Sequence, residues 1–454
     1  MSVVPNPMMG MLYSLLVTFA ALLAAPWYFL RSGLRGFPKG YWSERLGRVP
    51  DSVLAPDRGS IWIHAVSVGE TLAVAGLAGE IGQRFPSDPI YLSHVTPAGR
   101  AAGEGRIPNV AGRFFLPLDL KACLRPFFVR LRPKLLIIAE TELWPNLLRV
   151  AREFGTKVIL VNARLSERSL RGYARFGFFF RGVARSTDWI FAQTDQDAER
   201  FRRLGAPRVS VAGNLKFDAK PPARGELARS MFLALEAAGR GPVLVAGSTM
   251  AGEEQLVLRA WDAVQLRYPQ ALLVLAPRHP RRFEEVAEML TRERRRFSRR
   301  TSLDPLHLES QLAEIDIVLL NTIGELAGVF ELADVAFVGG SLVPTGGHNP
   351  LEPAFWAKPV LFGPHMENFR DIAQQVLATG AAIQVADPGS LAARVVELFS
   401  SAELRHQVGR RGQLLIESGS GATRRIVDRL GEWLPESVSL EIVQACAPVE
   451  DRVR

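Results

Sequence analysis

The sequence predicts an α/β protein: two Rossmann-like domains facing a cleft, preceded by a membrane-anchoring helix. Three observations predict it. Residues 1–30 contain no Lys, Arg, Asp or Glu. After Pro50, short apolar runs alternate with longer amphipathic stretches, the pattern of parallel strands covered by helices. The alternation is interrupted once, by the polar segment Lys216–Gly225 with its two prolines, and then resumes. Two α/β units of similar size follow. The boundaries expected are an anchor at 1–31, domains at 32–220 and 221–430, and a tail at 431–454.

The apolar run Met8–Leu30 is 23 residues long. As a helix it would measure about 35 Å, enough to cross a hydrocarbon core. Its positive charges follow it, at Arg31, Arg35, Lys39, Arg45 and Arg48, which keeps the remainder in the cytoplasm by the positive-inside rule. Trp27 and Tyr28 stand where an interfacial aromatic belt lies. A secretory signal would have a basic start and a small-residue cleavage site, so an uncleaved anchor is expected. Pro26 leaves open a shallow helix lying in the interface.

The 454 residues suffice for two or three domains. With 48% hydrophobic and 22% charged residues the chain is globular, not disordered. A net charge of +9 favours anionic partners (phosphorylated lipid, membrane surface or nucleic acid) or else reflects Arg-rich solvated helices. Cys123 and Cys446 are far apart and form no CxxC pair, which argues against a disulfide framework or a Cys-based zinc site.

The strands expected in the first domain are Ile61–Val66, Pro89–Val95, Gly112–Leu116, Lys134–Ala139, Lys157–Val161, Trp189–Ala192 and Val209–Ala212. Those of the second are Pro242–Ala246, Ala271–Ala276, Ile315–Leu320, Val335–Val338, Pro359–Phe362 and Ala381–Val385. The basic segment Thr291–Arg300 reads as a solvated helix or loop. Ligands of such sheets bind beyond the carboxyl ends of the strands, so motifs there carry the chemistry.

His64-Ala-Val-Ser-Val-Gly-Glu70 follows the first strand. Ser67 and Gly69 make the turn and Glu70 opens the helix, where the macrodipole favours an ionised carboxylate. That suits a general base; an ordinary helix-opening acid is the alternative. Ala139-Glu-Thr-Glu-Leu-Trp-Pro-Asn146 ends another strand. Its two acids share a face if the chain stays extended and diverge if a helix begins. Asn162-Ala-Arg-Leu-Ser-Glu-Arg-Ser169 offers Arg164, Ser166, Arg168 and Ser169 to a carboxylate or phosphate. The stretch Arg175–Arg185 interleaves Phe with Arg, which suits an anionic lipid surface or a buried aromatic helix with basic ends.

In the second half, Gly247-Ser-Thr249, Pro277-Arg-His-Pro280, Ile323-Gly-Glu325 and Gly339-Gly-Ser341 each follow a strand. Gly346-Gly-His-Asn-Pro-Leu-Glu352 leads into a helix whose start could take a phosphate while Glu352 takes ribose hydroxyls. Ordinary strand-to-helix turns are the alternative for all of these. No GxGxxG fingerprint follows a strand, and Walker A and GxSxG strings are absent. Asp195-Gln-Asp197 lies in a polar helix entry, and the seven His lack close spacing, so no metal site is expected.

Taken together and in order, SVGE, ETELWPN, NARLS, APRHP, IGEL, FVGGSL and GGHNPLEP resemble the Kdo transferases, which attach 3-deoxy-D-manno-octulosonic acid (Kdo) to the lipid A precursor. The likeness runs from about Gly40 to about Gly421, and the apolar N-terminus also fits it. The resemblance implies a GT-B architecture, with an acceptor-binding first domain and a CMP-sugar-binding second. It implies an inverting, metal-independent reaction without cofactor, with CMP-Kdo as donor. Glu70 would be the general base. Pro277, Arg278, Ile323, Gly324, Glu325, Asn349, Pro350, Leu351 and Glu352 match CMP-binding positions. Ser67, Gly69, Glu142, Arg164 and Ser166 would line the cleft, with His279 next to the nucleotide. Arg175–Arg185 departs from the family pattern in detail. The expected partners are CMP-Kdo, lipid A precursor and membrane, with no nucleic acid. The expected place is the inner membrane, with both domains on the cytoplasmic side. Two other readings stay open: another GT-B nucleotide-sugar enzyme, and a non-catalytic, membrane-bound, lipid-binding adaptor. The intact SVGE and NPLE strings speak against the adaptor.

Overall fold

The computed structural model describes residues 13–15, 18–19, 37–175, 177–218 and 226–434. The chain forms two compact units, Met1–Ala219 with Gly419–Arg454, and Lys220–Ser418. Each is built on a seven-stranded sheet, parallel at every pairing.

The first sheet comprises β1 (Ser60–His64), β2 (Ile90–His94), β3 (Gly112–Phe115), β4 (Pro133–Ala139), β5 (Lys157–Ala163), β6 (Trp189–Ala192) and β7 (Val209–Val211), in the order β3-β2-β1-β4-β5-β6-β7. Its strands are apolar on both faces because each face has its own core. On β1, Trp62 enters one core while Ile61 and Ile63 enter the other. On β4, Leu136 and Ile138 alternate with Leu135 and Ile137 in the same way.

The strand order reverses between β1 and β4. The crevice beyond their carboxyl ends is therefore the switch point where such sheets bind ligands.

The second sheet comprises β8 (Val243–Thr249), β9 (Leu272–Pro277), β10 (Phe297–Arg299), β11 (Ile317–Leu319), β12 (Val335–Val338), β13 (Val360–Phe362) and β14 (Ala382–Gln384). Their order is β10-β11-β9-β8-β12-β13-β14, with the reversal between β8 and β12.

Several expectations need correction. Among the described residues no helix is long and apolar enough to cross a membrane. The anchor expected over Met8–Leu30 lies mostly outside the described residues. Those that are described include Tyr13 and Ser14, both half-buried, whose hydroxyls are bonded to Asp119 and Asn146 of the first unit. The membrane-anchoring helix is therefore withdrawn, and with it the placement in the inner membrane by a single N-terminal anchor.

The basic segment expected to be solvated contains β10, which pairs Phe297 with Ile317 at the sheet edge. The helix Ala422–Leu430, expected to close the second domain, belongs to the first unit. There Ala422, Ile426, Val427 and Leu430 join the core beneath Ile61 and Ile63. Asp218, in a segment expected to be a linker, holds that helix start by accepting the Gly421 amide at 2.5 Å and the Thr423 amide.

Candidate active site

The loop after β1 is built around Glu70. Ser67 is the N-cap of the helix Val68–Arg84, its Oγ accepting the Glu70 amide at 3.4 Å. The Glu70 carboxylate turns back and accepts the Val66 amide at 2.6 Å and the Ser67 hydroxyl at 3.1 Å. This fixes the side chain at 8% exposure. Beneath it, Thr71 Oγ1 donates to Ser67 O at 2.8 Å, and His94 Nδ1 lies 3.0 Å from Ala65 O.

The carboxyl end of β4 lies next to that loop and brings two more acids. Glu140 leaves the strand with φ 55, a left-handed turn that costs a non-glycine residue about 1–3 kcal/mol and tends to occur at functional sites. The turn makes the chain neither extended nor helical, which settles a point the sequence left open. Glu140 is 3.4 Å from Arg164 Nε and 3.7 Å from Lys216 Nζ. Glu142 is half-buried.

Burial pushes the Glu70 pKa up to about 7, with the charges of Glu140 and Glu142 adding to the shift and the Val66 amide opposing it. The helix start was expected to keep this group firmly ionised; desolvation outweighs the dipole. Burial also raises the Glu142 pKa, with Glu140 adding.

The remaining first-domain candidates divide. Arg164 joins the acid cluster through Glu140. Ser166 caps the helix Glu167–Arg175 by accepting the Ser169 amide at 3.1 Å. Gly69 has open space where a Cβ would stand, apart from Ser67 Oγ at 3.9 Å. Asp197 of the DQD string accepts the Leu165 amide at 2.8 Å and the Thr194 hydroxyl at 2.6 Å, a capping role. Phe179 and Phe180 of the Arg-Phe stretch pack against the core with Tyr173, which favours the buried aromatic reading for those two rings.

Lys216 was missed. The sequence places it in a linker, yet it lies between the buried Leu215 and Phe217. Asn162 Oδ1 accepts the Leu215 amide at 3.0 Å and so holds Lys216 near Glu140. The apolar-Lys-apolar pattern was the available signal.

In the second unit the candidate loops gather at the carboxyl ends of β8, β9, β11 and β12. The Arg278 amide donates to Thr249 O at 2.9 Å, joining the ends of β9 and β8. Pro277 is the buried last residue of β9, and the Arg278 side chain is exposed. After β11, Ile323 is 78% exposed and Gly324 has φ 90. Glu325 is paired with Arg300 at 3.2 Å and with the Thr322 hydroxyl. Asn349 Oδ1 accepts the Leu351 amide at 3.1 Å, and Pro350 precedes the five-residue helix Leu351–Phe355 that carries Glu352. Trp356 Nε1 donates to Ala327 O at 2.7 Å, tying this helix to the one that follows Glu325.

His348, which sequence reasoning did not single out, stands against Gly340, where a Cβ would lie 3.0 Å from its ring. Burial lowers its pKa to about 4, helped by the charges of Arg278 and His279. His279 is lowered too, first by burial and then by Arg278, Arg281 and Arg282. Arg278 thus supplies the positive charge of this region, and the lowered pKa values favour neutral imidazoles at His279 and His348, each still able to donate one hydrogen bond to an anion.

Glu253 was also missed. It is 0% exposed and accepts the amides of Gly340 (2.5 Å), Ser341 (3.0 Å), Leu342 (2.8 Å) and Met250 (3.1 Å). The backbone donors of the Gly-Gly-Ser loop are therefore already used. Among the described residues no group of three or more His, Cys, Asp or Glu could hold a metal ion.

A buried carboxylate raised to about 7 at the switch point of one sheet and an exposed Arg278 at a strand end of the other suit the class of enzymes that transfer a group from an anionic donor to a hydroxyl. Residues 40–219 match the family model described as 3-Deoxy-D-manno-octulosonic-acid transferase (kdotransferase). The 3-deoxy-D-manno-octulosonic acid transferase of Haemophilus influenzae is 34% identical over 401 residues, 87% of this chain and 92% of the relative. That of Bordetella pertussis is 35% identical over 437 residues, 93% of this chain and 99% of the relative. The chain belongs to the Kdo transferase family, whose reaction moves Kdo from CMP-Kdo onto a lipid A-type acceptor. A UDP-GlcNAc 2-epimerase from Neisseria meningitidis bound to UDP-GlcNAc matches with a TM-score of 0.52 at 14% identity, covering 82% of this chain and 100% of that one. This last likeness concerns fold alone.

Proposed function

We propose that the chain transfers Kdo from CMP-Kdo to a lipid A precursor by direct displacement with inversion, and that Glu70 is the general base. The observation that carries this reading is the buried Glu70 carboxylate at the β1/β4 switch point, raised to about 7 beside Glu140 and Glu142. A base of that pKa is half-ionised near neutral pH and still strong enough to take a hydroxyl proton as attack proceeds.

In the reaction, Glu70 removes the proton of an acceptor hydroxyl. The oxygen bonds to the anomeric carbon of Kdo, and the bond from that carbon to the CMP phosphate oxygen breaks. CMP departs with the electron pair. Arg278 offsets the phosphate charge, and the neutral imidazoles of His279 and His348 can each donate a hydrogen bond to it. The five-residue helix at Leu351 is too short to supply much dipole, and the Leu351 amide is already bonded to Asn349. The Arg278 guanidinium therefore carries the charge, while Ile323, Gly324, Glu325 and Glu352 shape the nucleoside end of the site. Ser67 orients Glu70, and Arg164 with Lys216 compensates Glu140.

The test is a transfer assay with tetraacylated lipid A precursor and either CMP-Kdo or UDP-activated sugars. Product is expected from CMP-Kdo alone. Product from a UDP-sugar and none from CMP-Kdo would move the assignment to another nucleotide-sugar enzyme, and no product from any donor would favour the adaptor. In the same assay Arg278→Ala is expected to raise KM for CMP-Kdo by roughly 10- to 150-fold, the worth of one charged hydrogen bond. An unchanged KM would remove Arg278 from the donor site.

A further inference from the structure

Asp119 and Asn146 are buried, at 5% and 0% exposure. The Asp119 carboxylate accepts the amides of Asn146 (3.1 Å) and Leu147 (2.8 Å), in the first turn of the helix Pro145–Glu153. Asn146 Nδ2 donates back to Asp119 O at 2.6 Å. Two further bonds come from far away in sequence. Tyr13 OH donates to Asp119 Oδ2 at 2.9 Å, and Ser14 Oγ donates to Asn146 Oδ1 at 3.1 Å. The Tyr13 ring lies 5.5 Å from that of Phe179, which packs on the same core. Leu15 and Phe19 are 68% and 63% exposed, whereas Tyr13 and Ser14 are half-buried against the domain.

What this contact clamps matters. The helix Pro145–Glu153 begins immediately after the acid loop 140–144. That loop is short and closed on itself: the Leu143 amide donates to Thr141 O at 2.9 Å and the Trp144 amide to Glu142 O at 3.0 Å. A loop so tight has few internal degrees of freedom. Fixing its exit at Asn146 fixes where Glu142 stands, and Glu142 acts on Glu70 through its charge.

We infer that Tyr13 and Ser14 are positioning residues of the transfer reaction, the N-terminal segment clamping the exit of the acid loop and so holding Glu142 in place beside Glu70. This rests on the reading of Glu70 as base. The two hydroxyls act through Asp119 and Asn146.

The test uses the full chain with Tyr13→Phe, Ser14→Ala, the double variant and the conservative Ser14→Thr. Each keeps the fold's apolar contacts, and a thermal scan checks that it does. In the double variant, amide exchange at Asn146 and Leu147 is expected to quicken by about tenfold or more, as a local opening becomes cheaper. The kcat is expected to fall by about tenfold, the worth of an ordinary net hydrogen bond. KM for CMP-Kdo should stay within about twofold. Ser14→Thr should retain wild-type kcat where Ser14→Ala does not. Wild-type exchange and kcat in the double variant overturn the inference, even if its melting point falls. So does a rise in KM with kcat unchanged. A parallel Glu70→Gln separates the two readings: if it is inactive while the double variant is fully active, only the clamp fails. If Glu70→Gln is active, the base assignment fails and the exchange data still decide the clamp.

Discussion

Glu70→Gln lowers kcat for Kdo transfer by roughly 10²- to 10⁴-fold, the range for removing a positioned general base. In barrier terms this is about 3–5.5 kcal/mol. Gln is nearly isosteric and still offers one oxygen to the Val66 amide or the Ser67 hydroxyl, so the loop after β1 keeps its shape. KM for CMP-Kdo should change little, since the variant leaves the donor loops untouched. Steady-state kinetics with lipid A precursor, together with a melting curve, would check this. A folded variant with wild-type kcat would end the assignment.

The pH profile gives an independent reading of the same group. The base works only when deprotonated, and its pKa is raised to about 7. Wild-type kcat should therefore climb as pH rises through about 7 and fall about tenfold per unit well below it. Glu140→Gln removes a like charge and frees Arg164 and Lys216 from their partner. Both changes favour the Glu70 carboxylate, so the acid limb should move to lower pH. A limb that stays in place, or moves up, would show that Glu140 does not act on the base.

Glu253→Ala is the largest stability effect expected. One carboxylate accepts four backbone amides at a site closed to solvent. Three of them are consecutive, Gly340 to Leu342, and form the turn after β12. Close packing leaves no alternative path: a Cβ on Gly339 would lie 2.6 Å from Ser248 O, and Gly340 has φ 69. Deleting the carboxylate strands these donors where replacement by bulk water is blocked.

The expected loss is about 3–5 kcal/mol. For a unit of this size that corresponds to roughly 6–20 °C in its melting transition. Glu253→Gln, which keeps one acceptor oxygen, should lose less. Calorimetry of the full chain, with amide exchange at residues 340–342, measures both. A transition within about 2 °C of wild type would mean that the amides find other acceptors.

The strand pattern was legible because buried parallel strands have little choice of composition. Residues facing two cores must be apolar throughout, as Ile61, Trp62 and Ile63 are. The edge strand Phe297–Arg299 was hidden by the same logic reversed. All three of its residues are half-exposed, and Arg299 pairs with Glu284 at 2.7 Å, so its composition is that of a surface. The boundary expected at 430 put residues 422–430 in the second domain, whereas they form a helix of the first unit. An apolar face records that something is covered, not which sheet it covers.

By itself the sequence determined the ordered motif strings at the strand ends, the acids of SVGE and ETELWPN, the cationic turn at Arg278 and the family to which these belong. Local rules suffice for such features, because a cap, a turn or a strand end is set by a few neighbouring residues. Only the tertiary structure decided which strand ends are neighbours. The placement of β4 beside β1 brings Glu140 and Glu142 to Glu70, and burial there lifts a carboxylate that a helix start alone would keep acidic. The same holds for Glu253 under the Gly-Gly-Ser turn and for Tyr13 on Asp119, pairs separated by 87 and 106 residues. Desolvation and long-range hydrogen bonds depend on what the folded chain packs around a group, and no local stretch of sequence encodes that.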